Sequence, residues 1–433
     1  MKWSNWSGRV RCAPARIETP SSVEELQRVV RNGPPPIRVV GSGHSFSDLV
    51  ATDGTLISLD AMQGLEDVDR AACEATVYAG TKLWRLNQLL DEHGLAMPNL
   101  GDINVQSIAG AVSTGTHGTG TEFGCLSSFI QSATLVAADG SLVECPLDSD
   151  LLKAAAVSLG TLGVLAKVRL KLVPSYRLHY VADTLPVHEA LEKADAFSRE
   201  CRHYEFFVFP HTNIAMAKWH RATEAPVSTR PAMKWLDEVL LENAFFGLVC
   251  RLGRINPRWC PALSRFTSRS ATRREEVDDG HKVLSTRRLV RFNEMEYALP
   301  AEHGPAALRE VVQWVESERI GVSFPIEYRF VKGDGLWLSP FYGRDSVTIS
   351  LHQYYGMDYA AYFNHAERIF RKYDGRPHWG KLHSLASRDL AASYPKWDAF
   401  QALRAHLDPE GRFLNPYLRE LFDIPATRAL LCE

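Results

Sequence analysis

Paired cysteines are the first thing this chain lacks. Its 433 residues include eight cysteines, Cys12, Cys73, Cys125, Cys145, Cys201, Cys250, Cys260 and Cys432, with no C-x-x-C pair and no dense cluster. A disulfide scaffold is therefore excluded, and the thiols read as reduced and mostly buried, which points to the cytoplasm. Charge of one sign is lacking as well: 49 Lys+Arg stand against 51 Asp+Glu, a formal charge of -2. No global positive field gathers nucleic-acid phosphates. Long apolar runs are missing too. The most apolar stretch, Val239 to Leu252, is interrupted by Glu242, Asn243 and Arg251 and falls short of the ~20 residues a membrane span needs. It is expected to be a packed helix with no stable membrane insertion. Met1 to Trp6 carry no apolar run of the signal-peptide kind, so secretion is not expected. There is no internal repeat or low-complexity tract.

What remains is ordinary for a globular protein: 45% hydrophobic and 23% charged residues. The length exceeds the ~250–300 residues at which a single core stops growing, so two domains are expected. Ser22 caps a helix whose Val23, Leu26, Val29 and Val30 share a face. After the breaker Asn32 to Pro36, Ile37 to Val40 reads as a strand that stops at Gly41. Ala75 to Ala79 reads as a strand, and Leu83, Leu86, Leu89 and Leu90 as a helix running to about residue 93. Ala138-Asp139-Gly140-Ser141 has the turn chemistry of a hairpin. Leu165 to Val173 alternates as a half-buried strand closed by Pro174, and the first domain is expected to end near 175. Beyond it, strands are expected at Tyr204 to Phe209, Leu289 to Met295, Ile326 to Val331 and Ser346 to His352. Helices are expected near 185–200, 233–250, 301–318 and 357–373. Arg265 to Arg288, crowded with Arg, Asp, Glu and Ser, reads as a long exposed loop whose balanced charges argue against nucleic acid. The fold class is α+β.

Two glycine-rich segments carry the chemistry. Gly41-Ser42-Gly43-His44-Ser45 follows a strand, and small residues there let backbone N–H groups approach a pyrophosphate. It does not complete G-x-G-x-x-G, and no helix opens directly after it, so the nicotinamide fingerprint is not met. Ile108 to Gly120 is a second run rich in glycine and hydroxyls. Two such loops in one domain suggest a large phosphate-bearing cofactor.

Together with Pro98-Asn99-Leu100-Gly101, Ala109-Gly110, Thr114-Gly115-Thr116-His117-Gly118, Ser158-Leu159-Gly160 to Gly163 and His378-Trp379-Gly380-Lys381, these loops resemble the vanillyl-alcohol-oxidase-type flavoproteins. Within that family the chain is most similar to the aldonolactone oxidases and their relatives, the alditol oxidases. The resemblance implies an FAD-binding domain of two packed α+β parts over residues 1–175. It further implies an α+β cap over 176–400 and a C-terminal segment, 401–433, that returns to the FAD-binding domain. It implies FAD linked covalently to His44, whose neutral imidazole attacks the flavin methyl carbon. The cofactor-contact positions it implies are Val40, Gly41, Ser42, Gly43, His44, Ser45 and Ser47 in the first loop, and Pro98, Gly101 and Asp102 in the next. Ser107, Gly110, Ala111, Thr114, Gly115, His117 and Gly118 follow, then Gly163, Val164 and Lys381. Gly101 matches a position against the flavin face where oxygen arrives, and glycine there leaves the path open, which favours an oxidase. Asp102 departs from the serine common at its position, and a carboxylate there is able to accept substrate hydroxyls.

Four residues are expected to carry the reaction. Period two puts Glu327 and Arg329 on one strand face: a carboxylate orients hydroxyls, and a permanently charged guanidinium stabilises developing anion. Ser350 and His352 likewise share a face, with His352 a candidate proton acceptor. Lys381 is implied to reach the flavin edge. The expected reaction is oxidation of a carbohydrate alcohol, an aldono-1,4-lactone ahead of an alditol, with O2 reoxidising the flavin to give hydrogen peroxide. A dehydrogenase with another acceptor and a flavin-binding redox partner without turnover stay open. No metal is expected, and the protein is expected to be a monomer or small homo-oligomer.

Overall fold

The computed structural model describes residues 2–230 and 243–425. Three of the five sheets among the described residues organise the chain. A three-stranded parallel sheet runs Arg16–Glu18, Thr55–Ser58, Ile37–Val40, and the helix Val23–Asn32, between its strands Arg16–Glu18 and Ile37–Val40 in sequence, contacts the strand Ile130–Val136 and the turn at Asp139 and Gly140. Ser22 caps that helix as expected, accepting from the Glu25 N–H. A five-stranded antiparallel sheet follows in the order Leu142–Cys145, Ile130–Val136, Val164–Lys171, Glu74–Tyr78, Leu65–Asp69. Its hairpin turns at Gly140, where φ is +81°, and Asp139 Oδ1 accepts from Ser141 N–H.

The third sheet has eight strands, in the order Arg274–Asp279, Arg177–Pro186, Ile214–Thr223, His203–Val208, Ile326–Val331, Ser346–Tyr354, Phe292–Pro300, Arg376–Pro377. One face is apolar. Tyr204, Phe206, Tyr328, Ile349 and Leu351 lie on it, with Phe206 stacked on its cross-strand partner Tyr328 at 4.7 Å. The helix Gly304–Ser317 closes over it, so near that a Cβ on Gly304 would collide with Val347 and the Tyr328 hydroxyl. The other face carries the charges described below.

The expected helices near 301–318 and 357–373 are present as Gly304–Ser317 and Ala360–Lys372. The one near 185–200 is broken at Lys193 into Val187–Glu192 and Ala194–Glu200. Of the helix expected over 233–250, residues 231–242 lie outside the described residues, and its C-terminal part is the start of Phe246–Ile255. The strand expected at Leu289 to Met295 lies at Phe292–Pro300. The long loop expected from Arg265 to Arg288 is corrected. It comprises the end of a helix Cys260–Ser270, the edge strand Arg274–Asp279 and a short helix Gly280–Leu284. Its polar composition misled because an edge strand buries only part of its length: Val277 and Asp278 are covered while Glu275 is exposed.

The interiors of the two halves are continuous, since buried side chains from Leu26 through Phe422 form one contiguous cluster. Near the C-terminus, Asn415 Nδ2 donates to the carbonyls of Asp48, Leu49 and Ala51, and Ile37 N–H donates to Arg412 O. The cysteines at 125, 145, 201, 250 and 260 are buried and unpaired, while Cys12 and Cys73 are half-buried and also free. Among the described residues, no helix is long and apolar enough to cross a membrane.

Candidate active site

The first glycine loop ends the parallel strand Ile37–Val40 and forms one wall of a cleft. Gly43 takes a φ of +68°, and a Cβ on Gly41 would collide with Ser107 Oγ. Glycine at both positions is thus required by the turn and by the approach of the second loop. Val40, Gly41, Ser42, Gly43, His44, Ser45, Ser47, Ser107, Gly110, Thr114, Gly163 and Val164 all line this cleft. Ser107 caps the helix Ile108–Ser113, accepting from Gly110 N–H. Lys82 Nζ adds a cation beside Ser42 Oγ, at 3.1 Å, and is held by Asp60. Arg38, also in the wall, is spent on the carbonyls of Leu49, Leu159, Gly160 and Phe413 and serves the fold. A narrow cleft walled by small residues and exposed backbone, with a cation near its mouth, fits a dinucleotide.

His44 lies in this wall, half-buried and stacked on Trp6 at 5.2 Å. Burial first, then the charges of Lys381 and Lys82, lower its pKa to about 4 against the weaker pull of Glu294. The imidazole is neutral at pH 7.

Pro98, Gly101, Ala111, Gly115 and His117 do not line the cleft. Pro98 is buried and its carbonyl accepts from Arg202; Ala111 is buried inside its helix; Gly115, at φ +74°, turns against Pro340. Gly101 and Gly118 interlock two loops. A Cβ on Gly101 would stand 3.1 Å from the His117 carbonyl, and one on Gly118 would strike the Leu100 carbonyl and lie 2.5 Å from Asn99 Oδ1. Loop packing therefore favours glycine at 101, although a shift of a few tenths of an ångström would admit a methyl group there. His117 is enclosed in the protein, Nδ1 facing Gly118 O at 2.8 Å and Nε2 facing Glu296 Oε1 at 2.5 Å.

The charged face of the eight-stranded sheet follows from register. Lys218 pairs across with Glu205, Glu205 with Arg329, Glu327 with Ser350, Ser350 with Glu296, and His352 with Glu294. Side chains on paired residues share a face, so this series of polar groups runs across five strands. Glu327 and Arg329 thus lie on an internal strand, both buried, and are not a surface ion pair. Arg329 Nε donates to Glu205 Oε2 at 2.6 Å, and its terminal amine reaches Glu327 Oε1 at 2.6 Å and Asp102 Oδ1. Asp102 is also held by Arg288 at 2.8 Å, and Glu205 by Lys218 at 2.7 Å. Asp102 and Gly118 line a second cleft of about 270 Å³ beside this cluster, together with Lys218, His220 and Arg329.

Electrostatics separates the carboxylates. Burial raises Glu327, and despite Arg329 its pKa reaches about 7, because Asp102 and Glu205 add negative charge nearby. Burial opposes ionisation of Glu205 too, but Lys218 and Arg329 hold it down at about 2. Burial likewise opposes, and Arg329 and Arg288 overcome it, at Asp102, which lies well below the carboxylate range.

Lys381 reaches the same face from a distant turn and forms an ion pair with Glu294. His352 Nε2 lies 3.4 Å from the other oxygen of Glu294. Against burial, Lys381 and then His352 hold the Glu294 carboxyl at about 2. Two buried polar atoms here have no protein partner among the described residues, His352 Nδ1 and Thr348 Oγ1. Polar atoms left unpaired in a buried site are what a ligand satisfies.

The four expected catalytic residues therefore share one sheet face, in two clusters, one around Arg329 and one around Glu294. Sequence reasoning missed Glu205, Lys218, Arg288, Glu294 and Glu296. The available signal was a carboxylate inside an otherwise apolar strand, as in Tyr204-Glu205-Phe206 and Glu294-Met295-Glu296-Tyr297.

Residues 168–421 match the family described as D-arabinono-1,4-lactone oxidase, and residues 14–146 match the FAD binding domain. The L-gulono-1,4-lactone dehydrogenase of Mycobacterium tuberculosis (strain ATCC 25618 / H37Rv) is 41% identical over 97% of this chain and 98% of its own length. The L-gulonolactone oxidase of Mus musculus is 32% identical over 98% of both chains. The alditol oxidase of a Streptomyces species is 30% identical over 97% of this chain and 99% of its own. Among solved structures, cholesterol oxidase from B. sterolicum has the same fold, with a TM-score of 0.82 over 97% of this chain and 96% of that one, at 17% identity. The flavin cleft, the charged sheet face and these relationships converge: the chain is a member of the D-arabinono-1,4-lactone oxidase family of FAD-linked oxidoreductases.

Proposed function

We propose that this enzyme oxidises a carbinol of an aldono-1,4-lactone, with FAD tethered to His44 and O2 as the electron acceptor. The observation that carries the reading is the charged sheet face, which brings the Glu327–Arg329 and Lys381–Glu294–His352 clusters to one side with His352 Nδ1 and Thr348 Oγ1 unpaired among the described residues. FAD, when bound, supplies the hydride acceptor and passes the electrons on. The protein binds, orients and handles the proton. Arg329, fixed by three carboxylates, presents permanent positive charge to the substrate oxygen. Glu327 accepts from a neighbouring hydroxyl once ionised. The Lys381–Glu294–His352 group takes up the hydroxyl proton. The neutral state of His44 leaves a nitrogen lone pair for the bond to the cofactor.

A dehydrogenase using another acceptor is the second reading. It is favoured by the name of the mycobacterial relative and by the loop interlock that gives Gly101 a packing role without an oxygen path. One assay separates the two. Purified enzyme is offered aldonolactones and alditols, and peroxide release is compared with reduction of a dye acceptor. Peroxide with a lactone supports the proposal; dye reduction without peroxide selects the dehydrogenase; alditol turnover alone shifts the substrate class.

A further inference from the structure

The N-terminal residues fold back on the first glycine loop. Trp3–Ser4 pairs antiparallel with Arg11–Cys12, and the turn between these strands clasps His44 from both sides. Trp6 N–H donates to Gly43 O at 2.8 Å, and Asn5 Nδ2 donates to Ser45 O at 2.9 Å. Asn5 is itself buried, its Oδ1 accepting from Val10 N–H at 3.0 Å. The carbonyls before and after His44 are thus both held by this turn.

The imidazole is held differently. Neither ring nitrogen of His44 forms a hydrogen bond with a described residue, and the outer torsion of a histidine side chain is by itself broad and two-fold. The contact that fixes the plane of the ring is the Trp6 indole, stacked on it at 5.2 Å and 25°. Trp6 is braced in turn: Phe292 meets it edge-on at 5.2 Å and Phe46 at 6.4 Å, and these two rings pack on each other at 5.7 Å. The same rings carry the proton-handling groups, with Lys381 Nζ 5.3 Å above Phe46 and His352 edge-on to Phe292 at 4.9 Å. One aromatic cluster therefore sets the tether and the charged face in a common frame.

We propose that Trp6 is a positioning residue for cofactor attachment: its indole face orients the His44 imidazole so that a nitrogen lone pair meets the flavin methyl carbon. The inference rests on the covalent reading of His44. In the attachment step the imidazole nitrogen forms a C–N bond as a C–H bond of that methyl group breaks. The methyl carbon loses an electron pair. That pair, with the C–H proton and the proton of the second imidazole nitrogen, reduces the flavin ring, and the enzyme's electron acceptor, O2 or a dye, then removes both. Stacking suits this task because it restricts the ring without occupying a lone pair, whereas a hydrogen bond at the reacting nitrogen would have to break first. Trp6 touches no reacting atom and acts through His44.

The test compares the unmodified holoenzyme with Trp6→Leu, Trp6→Phe and Phe46→Leu. Absorbance gives the total flavin bound per chain; acid precipitation and the mass of the intact chain give the attached share. Trp6→Leu keeps an apolar side chain against Phe46 and Phe292 but no flat face. It should bind flavin and attach at least about tenfold less of it, since misplacement by about an ångström costs up to ~10²-fold. Trp6→Phe should restore most of the attachment. Phe46→Leu, which alters the cluster but leaves the stacked face, should attach flavin as the unmodified protein does. Undiminished attachment in Trp6→Leu overturns the proposal. So does a loss in Trp6→Phe or Phe46→Leu as complete as in Trp6→Leu, because general packing would then account for the effect. A Trp6→Leu protein that binds no flavin also overturns it, since Trp6 would then serve the cleft rather than the tether. Free flavin from the unmodified chain overturns the covalent reading and the proposal with it, whereas attached flavin in both the unmodified protein and Trp6→Leu overturns the proposal alone.

Discussion

Arg329 holds three carboxylates by one guanidinium, and the consequences differ by substitution. Arg329→Leu would leave Asp102, Glu205 and Glu327 without their shared cation, and breaking a buried pair typically costs about 3–5 kcal/mol. Arg329→Lys keeps the charge but loses the fork, so it is the cleaner probe. Anaerobic flavin reduction by substrate should fall about 10²–10³-fold in Arg329→Lys and in Lys381→Met, with flavin still bound. A double variant should lose less than the product of the two. Stopped-flow absorbance checks both statements, and unchanged reduction in both single variants would remove these charges from the mechanism. Glu327 has its own signature. Its pKa near 7 means that it becomes an acceptor only as pH rises through that value, so kcat/KM should rise across neutral pH. Glu327→Gln should lower the rate and flatten this limb of the profile. At His44, acid precipitation should leave yellow flavin on the unmodified chain and free flavin in the supernatant of His44→Ala; colourless precipitate from the unmodified protein would end the covalent assignment.

At the scale of elements, the interlocked loops 98–101 and 116–118 decide what Gly101 means. Gly118→Ala forces a methyl group into the Leu100 carbonyl and should cost about 1–3 kcal/mol of stability, as overpacking does. Gly101→Ala meets the His117 carbonyl at 3.1 Å, which a shift of a few tenths of an ångström relieves, so the variant should fold. If position 101 also gates oxygen, its reoxidation by O2 should slow while anaerobic reduction is kept. Equal oxygen rates would leave only the packing role. The glycine pattern of both loops was legible in the sequence, because turns and close approaches demand glycine wherever they occur. Their mutual contact was not, since nothing local to 98–101 says which distant carbonyl lies beside it. The edge strand Arg274–Asp279 was missed for a related reason: pairing on one side and solvent on the other leave a composition that reads as loop.

Across the whole molecule, burial sets the response to acid. Burial holds His44, His220, His378 and His383 near a pKa of about 4, and His203 near about 3, against an ordinary 6.5. A histidine lowered in the fold binds fewer protons than in the unfolded chain. Its contribution is complete above pH 6.5 and is lost as pH falls toward 4. Every tenfold loss of proton affinity on folding corresponds to about 1.4 kcal/mol at full effect. Glu205 and Glu294, held at about 2, act in a lower window, losing their contribution as pH falls from 4.5 toward 2. Glu327 opposes in sign between 4.5 and 7, and Glu316, Asp334 and Asp408, whose carboxyls burial also raises, oppose in the same sense, but these are four groups against eight once His211, His281 and His365, likewise lowered by burial, are counted. The unfolding midpoint should therefore drop steadily from pH 7 to pH 4, and a flat midpoint over that range would contradict the burial of these rings.

Motif spacing and period-two alternation determined the α+β class, the flavin loops with His44, and the shared face of Glu327 with Arg329, because all of these depend on residues close in sequence. Cross-strand register and the meeting of loops belong to the tertiary structure alone. They placed Asp102, Glu205 and Glu327 around one guanidinium and joined Lys381 to Glu294 and His352. Each of those contacts brings together side chains whose sequence neighbours carry no information about their partners, and only folding supplies the distance across which charge acts.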